Sequence, residues 1–249
     1  MTQHDPAQKV HDAKVAIVTG AGRGIGRAIT LELARTGHRL CIAARNRAEL
    51  EETRAATGLP AKSALIVLID LAEEDAPDAL IDAAVDHFGR LDVLVNNAGW
   101  APPRSSLIKM RAADQDRIIA VNLRTPIALA RLAASRMAKN GGGTIVNIAS
   151  SAARLTPAGE AVYAASKAGL LAFTRAAFAE LRASGVKISA IVPGLVDTAL
   201  IPHNQRLDRA SMLRPADIAA AVMHIVNSSA GACPVEITIE PQIDPLSRR

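Results

Sequence analysis

Tyr163 and Lys167, in the segment Tyr-Ala-Ala-Ser-Lys, stand four residues apart and share one face if the segment is helical. An ammonium beside a phenol favours the phenolate and lowers a pKa that is ordinarily about 10. Such a phenol can exchange a proton with a substrate oxygen near neutral pH, which is general acid–base chemistry. The same spacing also describes a half-buried ring beside a solvated amine, so the elements around the pair must decide between the two.

A glycine-rich turn, Thr19-Gly-Ala-Gly-Arg-Gly-Ile-Gly26, offers a second kind of chemistry. It follows an apolar run, Val15 to Thr19, that reads as a buried strand, and leads into a helical pattern over Arg27 to Thr36. Strand, glycine turn and helix in that order gather backbone N–H groups and a helix N-terminus at one point, where a pyrophosphate can bind. Gly20, Gly24 and Gly26 permit the tight turn, the close phosphate approach and the close contact of helix with strand. The spacing is TGxxxGxG rather than GxGxxG, and a merely structural strand–helix loop explains many such turns.

With both motifs in view, the chain resembles the short-chain dehydrogenase/reductase family from about Ala13 to about Pro241. Further matches fall in the family's order. Asn96-Asn97-Ala98-Gly99 follows the strand-like Leu91 to Val95, and Asn122 lies in Val121-Asn-Leu123. Ser150 stands thirteen residues before Tyr163, and Pro193-Gly194 precedes Thr198. The resemblance implies an α/β fold: a single doubly wound Rossmann-fold domain over 13–249, with a seven-stranded parallel sheet in the order 3-2-1-4-5-6-7 flanked by helices.

The resemblance also assigns roles. Tyr163 is the implied acid in carbonyl reduction and the base in alcohol oxidation, and Lys167 lowers its pKa and bonds the nicotinamide ribose. Ser150 donates to the substrate oxygen, and Asn122 holds a water that links Lys167 to solvent. The implied cofactor contacts are Gly20, Arg23, Gly24, Ile25, Gly26, Arg45, Asp70, Leu71, Asn97, Ala98, Gly99, Tyr163, Lys167, Pro193, Gly194, Val196 and Thr198. Asn96 and Ala98 also brace the central strands. Plainer readings stand beside several of these. Ser150 or Ser151 could cap a turn, Asn122 could satisfy backbone groups in a helix kink, and Asp70 or Thr198 could be a helix N-cap.

The second strand ends Ile42-Ala-Ala-Arg45, with Ala44 where NAD-preferring relatives carry an acidic residue for the ribose hydroxyls. No carboxylate there repels a 2′-phosphate, and Arg45 can fork onto one, so NADP(H) is the expected cofactor. A solvated loop arginine is the alternative for Arg45, and Arg23 is a weaker second candidate. Two features depart from the family pattern. Ala153 stands where relatives often carry glycine, and the closing stretch Pro234 to Pro241 lacks the Gly-Gly of many relatives. That stretch is similar to reductases of 3-oxo or 3-hydroxy acids.

Length and composition fit this picture. The 249 residues can bury one substantial core, and 49% are apolar, which argues against extended disorder. The net charge of +5 is spread along the chain, and one Tyr, one Trp and three Phe leave little to stack on bases, so nucleic-acid binding is not expected. Neither CxxC nor a His/Cys cluster occurs, so no metal is expected, and Cys41 reads as a small buried thiol. Residues 1–12 read as a loose arm without an apolar targeting core, and no uninterrupted stretch reads as a membrane span. A cytoplasmic setting follows.

Strands are expected near 14–19, 38–43, 64–69, 91–95, 143–149, 187–192 and 234–240, and helices near 24–36, 46–57, 73–89, 107–139 (a long helix with a preceding turn or loop), 161–184 and 214–227. The substrate pocket is expected from 100–105, 152–161 and 195–211, with Trp100, Arg104, Arg154, Leu155, His203 and Arg206 as its notable side chains. An arginine cluster there could bind a carboxylate, and surface arginine is the plainer reading. Apolar content over 114–139 and 161–184, including Ile118, Ile119, Leu170, Leu171, Phe173 and Phe178, suggests a homotetramer or homodimer. The reading that results is an NADP(H)-dependent enzyme for a small carbonyl or alcohol substrate. An NAD-preferring dehydrogenase and a non-catalytic NADP-binding regulator are the alternatives.

Overall fold

The structure, a computed structural model, describes residues 13–201 and 207–246. The arm at 1–12, the tail at 247–249 and the pocket candidates His203 and Arg206 lie outside the described residues. The strands are β1 Val15–Thr19, β2 Arg39–Ala44, β3 Ala64–Leu68, β4 Val93–Asn96, β5 Gly143–Ile148, β6 Val186–Pro193 and β7 Glu236–Ile239. They form one seven-stranded parallel sheet in the order β3-β2-β1-β4-β5-β6-β7, as expected.

The helices are α1 Gly24–Arg35, α2 Arg47–Thr57, α3 Ala76–Phe88, α4 Ala112–Ile119, α5 Thr125–Lys139, the short α6 Ala152–Leu155, α7 Ala161–Leu181 and α8 Pro215–Val226. They cover both faces of the sheet and form two separate apolar cores. One joins Leu80, Ala84, Leu129, Ala133 and Met137 to one face, and the other joins Ile29, Leu33, Ile218 and Val222 to the opposite face. Central strands such as β1 are buried along their whole length, which is why they read as unbroken apolar runs. The edge strands β3 and β7 are only half-buried, and β7 carries Glu236 and Thr238 toward solvent and neighbouring side chains.

The chain passes from β1 to its neighbours β2 and β4 on opposite sides, so the strand order reverses between β1 and β4. A crevice opens at such a reversal outside the carboxyl ends of the strands. The glycine turn after β1, Arg45 after β2, Asp70 after β3, Asn97 after β4, Ser150 after β5 and Gly194 after β6 therefore share one edge.

Two expectations need correction. The turn expected before the long helix of 107–139 is a 3₁₀ turn at Leu107–Lys109, but the helix itself is interrupted, with a π turn at Ala120–Arg124 joining α4 to α5. By length and composition the 28 residues Ala112–Lys139 would suffice to cross a membrane, but more than half of their apolar 18-residue window is buried against this fold. Of the apolar helix residues, Ile118, Leu170 and Leu171 belong to the core of the single chain, while Ile119 remains partly exposed.

Candidate active site

The glycine turn is held from beneath. Thr53 of α2, fully buried, donates its hydroxyl to the Ala21 and Gly22 carbonyls, both at 3.1 Å. Asn97 donates Nδ2 to the Thr19 and Gly20 carbonyls at 2.9 and 3.2 Å, and the Thr19 hydroxyl accepts from the Asn97 and Ala98 N–H groups. A Cβ on Gly26 would lie 2.1 Å from the Gly20 carbonyl oxygen, so only glycine lets α1 start this close to β1. Gly24 holds φ at +53°, and Thr198 lies 3.3 Å from where its Cβ would be, which brings the loop after β6 over the turn.

Arg23 is the N-cap of α1 but makes no side-chain cap, and the first turn carries no acidic residue. Its free N–H groups and positive end suit an anion, and together with the glycine cradle they fit a dinucleotide pyrophosphate. Arg45 is 59% exposed and lies 3.9 Å from Asp70. Asp70 does not cap a helix, because α3 begins at Ala76; it accepts from the Ala72 N–H in a local turn. Arg117 of α4 forks onto both Asp70 oxygens at 2.7 and 3.1 Å. Burial opposes ionisation of Asp70, but the Arg117 hydrogen bonds and charge outweigh it and hold the carboxyl below its ordinary value.

The other half of the crevice is far more enclosed. Lys167 is 4% exposed, so it is not a solvated amine. Its Nζ donates to the Ile148 carbonyl at the end of β5 at 2.8 Å and lies 5.9 Å from the centre of the Tyr163 ring. Burial lowers its pKa to about 8. Tyr163 is half-buried and hydrogen-bonded to Ser150. Its pKa is raised, chiefly by burial and further by the Glu160 charge, against the lowering effect of the Ser150 bond. The expected lowering by Lys167 is not found: the shift is upward, and Lys167 is not among its causes.

Asn122 sits in the π turn with no exposed surface. Its Oδ1 accepts from the Trp100 N–H and its Nδ2 donates to the Trp100 carbonyl, both at 2.8 Å. The side chain thus ties the helix kink to the segment after Asn96–Gly99, and it also reaches the Ser166 hydroxyl at 3.5 Å. The kink reading and the site reading coincide in this residue.

A buried chain that the sequence reading missed steadies the same half. Asn96 of β4 donates to Asn147 Oδ1, Asn147 donates to the Thr174 hydroxyl, and Thr174 donates to the Leu170 carbonyl, linking two central strands to α7. Alternating polar residues inside otherwise apolar strands were the available signal. Leu71 is buried, and its carbonyl accepts from the Thr125 hydroxyl. Ile25 is partly buried beside the glycine turn. Val196 is buried and bridges to Leu213, which shapes the loop after Pro193–Gly194. Thr198 accepts from the Leu200 N–H in a turn and does not cap a helix.

Two of the arginines expected near the pocket already have partners. Arg104 pairs with Glu160, and Arg154 pairs with Glu236 and donates to the Thr238 hydroxyl at 2.9 Å. Leu155 and Leu200 stand exposed on the two segments that flank them.

Comparison with known proteins agrees with this architecture. The short chain dehydrogenase family model matches residues 14–208. An uncharacterized oxidoreductase of Staphylococcus aureus (strain USA300) is 34% identical over 92% of this chain and 97% of its own. Another, from Mycobacterium tuberculosis (strain CDC 1551 / Oshkosh), is 36% identical over 92% of this chain and 90% of its own. Among solved structures, a metagenomic short-chain oxidoreductase in complex with NADP is 33% identical with a TM-score of 0.81, over 92% of this chain and 98% of that one. A 3-ketoacyl-(acyl-carrier-protein) reductase from Brucella melitensis complexed with NADH is 27% identical with a TM-score of 0.85, over 93% and 98%. With the fold, the glycine cradle and the Ser150–Tyr163–Lys167 cluster in place, the chain belongs to the short-chain dehydrogenase family of oxidoreductases.

Proposed function

We propose that the protein interconverts a carbonyl and a secondary alcohol using NADP(H), with Tyr163 as the proton donor and acceptor. The observation that carries this reading is Tyr163 bonded to Ser150, one helical turn from the buried Lys167, at the crevice where the strand order reverses. When bound, the nicotinamide cofactor supplies or accepts the hydride. Its pyrophosphate would lie on the Gly20–Gly26 turn, its adenosine 2′-phosphate against Arg45, and its nicotinamide end toward Pro193, Gly194, Val196 and Thr198.

The chain's own residues handle the proton. Ser150 Oγ accepts from the Ala152 N–H at 3.2 Å, and its own proton, shared with Tyr163, can turn to a substrate oxygen. Burial keeps Tyr163 protonated at neutral pH, the form that reduction consumes. Lys167, with a pKa of about 8, remains largely cationic at neutral pH and stabilises the phenolate left after transfer. Asn122 fixes the segment at Trp100 that walls the pocket, and a relay water linking Lys167 to solvent is its expected further role.

The Brucella reductase likeness favours a 3-oxoacyl or related carbonyl substrate. Because Arg104 and Arg154 are already paired with carboxylates, a neutral carbonyl suits these loops better than a free acid. An NAD-preferring dehydrogenase is the second reading: Asp70 draws Arg45 toward itself, and one neighbour carries NADH. We further infer a cytoplasmic homodimer or homotetramer without nucleic-acid or membrane partners. The small-residue groove along Ala161, Ala165 and Ala168 of α7, together with the part-exposed Ile119 at the end of α4, favours such an assembly.

Parallel titration with NADPH and NADH, followed by nicotinamide fluorescence, tests the cofactor. Tight NADPH with weak NADH supports the reading, preference for NADH selects the second, and binding of neither overturns both.

A further inference from the structure

Arg104 and Glu160 close one side of the candidate site, and nothing in the proton chemistry above uses them. Arg104 lies between β4 and α4, while Glu160 is the N-cap of α7, three residues before Tyr163. Arg104 Nε donates to Glu160 Oε1, and beside that pair the Ser105 N–H donates to the Gly159 carbonyl at 3.2 Å. Gly159 holds φ at +85°, and a Cβ on it would lie 3.3 Å from the Arg104 Cβ, so the two loops meet closely at a glycine. The Glu160 side chain is 21% exposed and that of Arg104 is 66% exposed. The carboxylate is therefore the inner member of the pair.

We propose that Arg104 and Glu160 form a latch that joins the segment before α4 to the loop before α7 and sets the charge that the Tyr163 hydroxyl faces. The inference rests on Tyr163 as the acid. The charged groups facing the phenol are Glu160 and Lys167 on its own helix and, across the cleft, Arg104 through its pair with Glu160. Ser150 meets the hydroxyl from the end of β5. With the latch closed, Arg104 offsets the Glu160 charge. With the latch open, the bare carboxylate opposes phenolate formation and keeps Tyr163 protonated. Both are positioning residues, because neither needs to touch substrate.

Tyr163 is the only tyrosine in the chain, so its ionisation is directly readable as phenolate absorbance, without substrate or cofactor. The titration is run over the range in which far-ultraviolet circular dichroism shows an intact fold, with Tyr163→Phe as the blank. Arg104→Ala should raise the Tyr163 pKa and Glu160→Gln should lower it, each by about half a unit for such a partly exposed pair. Arg104→Lys should restore the wild-type curve, and Arg104→Ala made on top of Glu160→Gln should shift it little. Hydrogen exchange at the Ser105 amide should quicken in both single variants.

Coincident titration curves, or shifts of the same sign in both variants, overturn the latch, as does unchanged Ser105 exchange. Turnover of Tyr163→Phe is read separately: full activity there would sink the acid assignment and leave the titration result standing.

Discussion

The two halves of the crevice contain similar chemistry under opposite conditions. On the side of β1 to β3, Arg45 and Asp70 are 59% and 30% exposed and stand 3.9 Å apart. On the side of β4 to β6, Lys167 and Asn122 are buried, and each is committed to backbone partners. A solvent-screened pair is worth little and can exchange its partner for a ligand. A buried polar group has lost its water and depends on the partner the fold provides. The exposed half is thus able to select a ligand, and the buried half is preset for chemistry.

Substitutions can break that contrast, beginning with the largest expected effect. Tyr163→Phe should lower turnover by roughly 10²–10⁴-fold, the range for a lost general acid, while leaving NADPH binding nearly unchanged. Stopped-flow turnover beside cofactor titration checks it, and near-wild-type turnover would remove Tyr163 from the mechanism. Asn122→Ala strands the Trp100 N–H and carbonyl and should cost about 1–3 kcal/mol in urea unfolding. A loss below about 0.5 kcal/mol would show that this half is not preset as described.

Arg45→Ala should behave in the opposite way. Stability should change by less than about 0.5 kcal/mol, while NADPH weakens about tenfold and NADH hardly at all. Equal weakening of both cofactors would take the phosphate role from Arg45.

A further effect is the pH dependence conferred by Lys167. Burial depresses its folded-state pKa from 10.5 to about 8, so between those values the unfolded chain binds a proton that the folded chain does not. Its contribution to stability therefore rises with pH across that window and is flat below it. Urea midpoints of wild type and Lys167→Met, taken at pH 7 and pH 9.5, isolate the term. The wild type should gain on the variant at the higher pH, and a constant gap would refute the depressed pKa.

The contrast also governs what could be read from the chain. The strands and the glycine turn were legible, because apolar runs and glycines report backbone geometry directly, while the strand order came from the family resemblance. Tyr163, Lys167, Ser150 and Asn122 were legible as a spaced set. Their partners were not. That Arg117 would fork onto Asp70, that Glu160 would take Arg104, and that Asn96, Asn147 and Thr174 would form one chain all depend on contacts between residues far apart in sequence. Arg45 reads from sequence as a free cation, and only the fold reveals the carboxylate beside it. The helix over 107–139 was apolar enough to look continuous, and periodicity alone gave no sign of the π turn at Ala120–Arg124.

That turn also decides which faces of α4 and α5 meet the core. A π turn spends one residue more than an α-helical turn needs, and each helical residue advances the chain by about 100°. Winding that extra residue into a regular α-helix would fuse the two helices into one continuous rod, with every residue of α5 rotated about 100° relative to α4. Ile118 and Leu129 could no longer both face the core, and Asn122 would turn away from Trp100. Local helical regularity would improve while the long-range fit was lost, so this enzyme family member keeps an irregular turn where a smoother helix would disarm it.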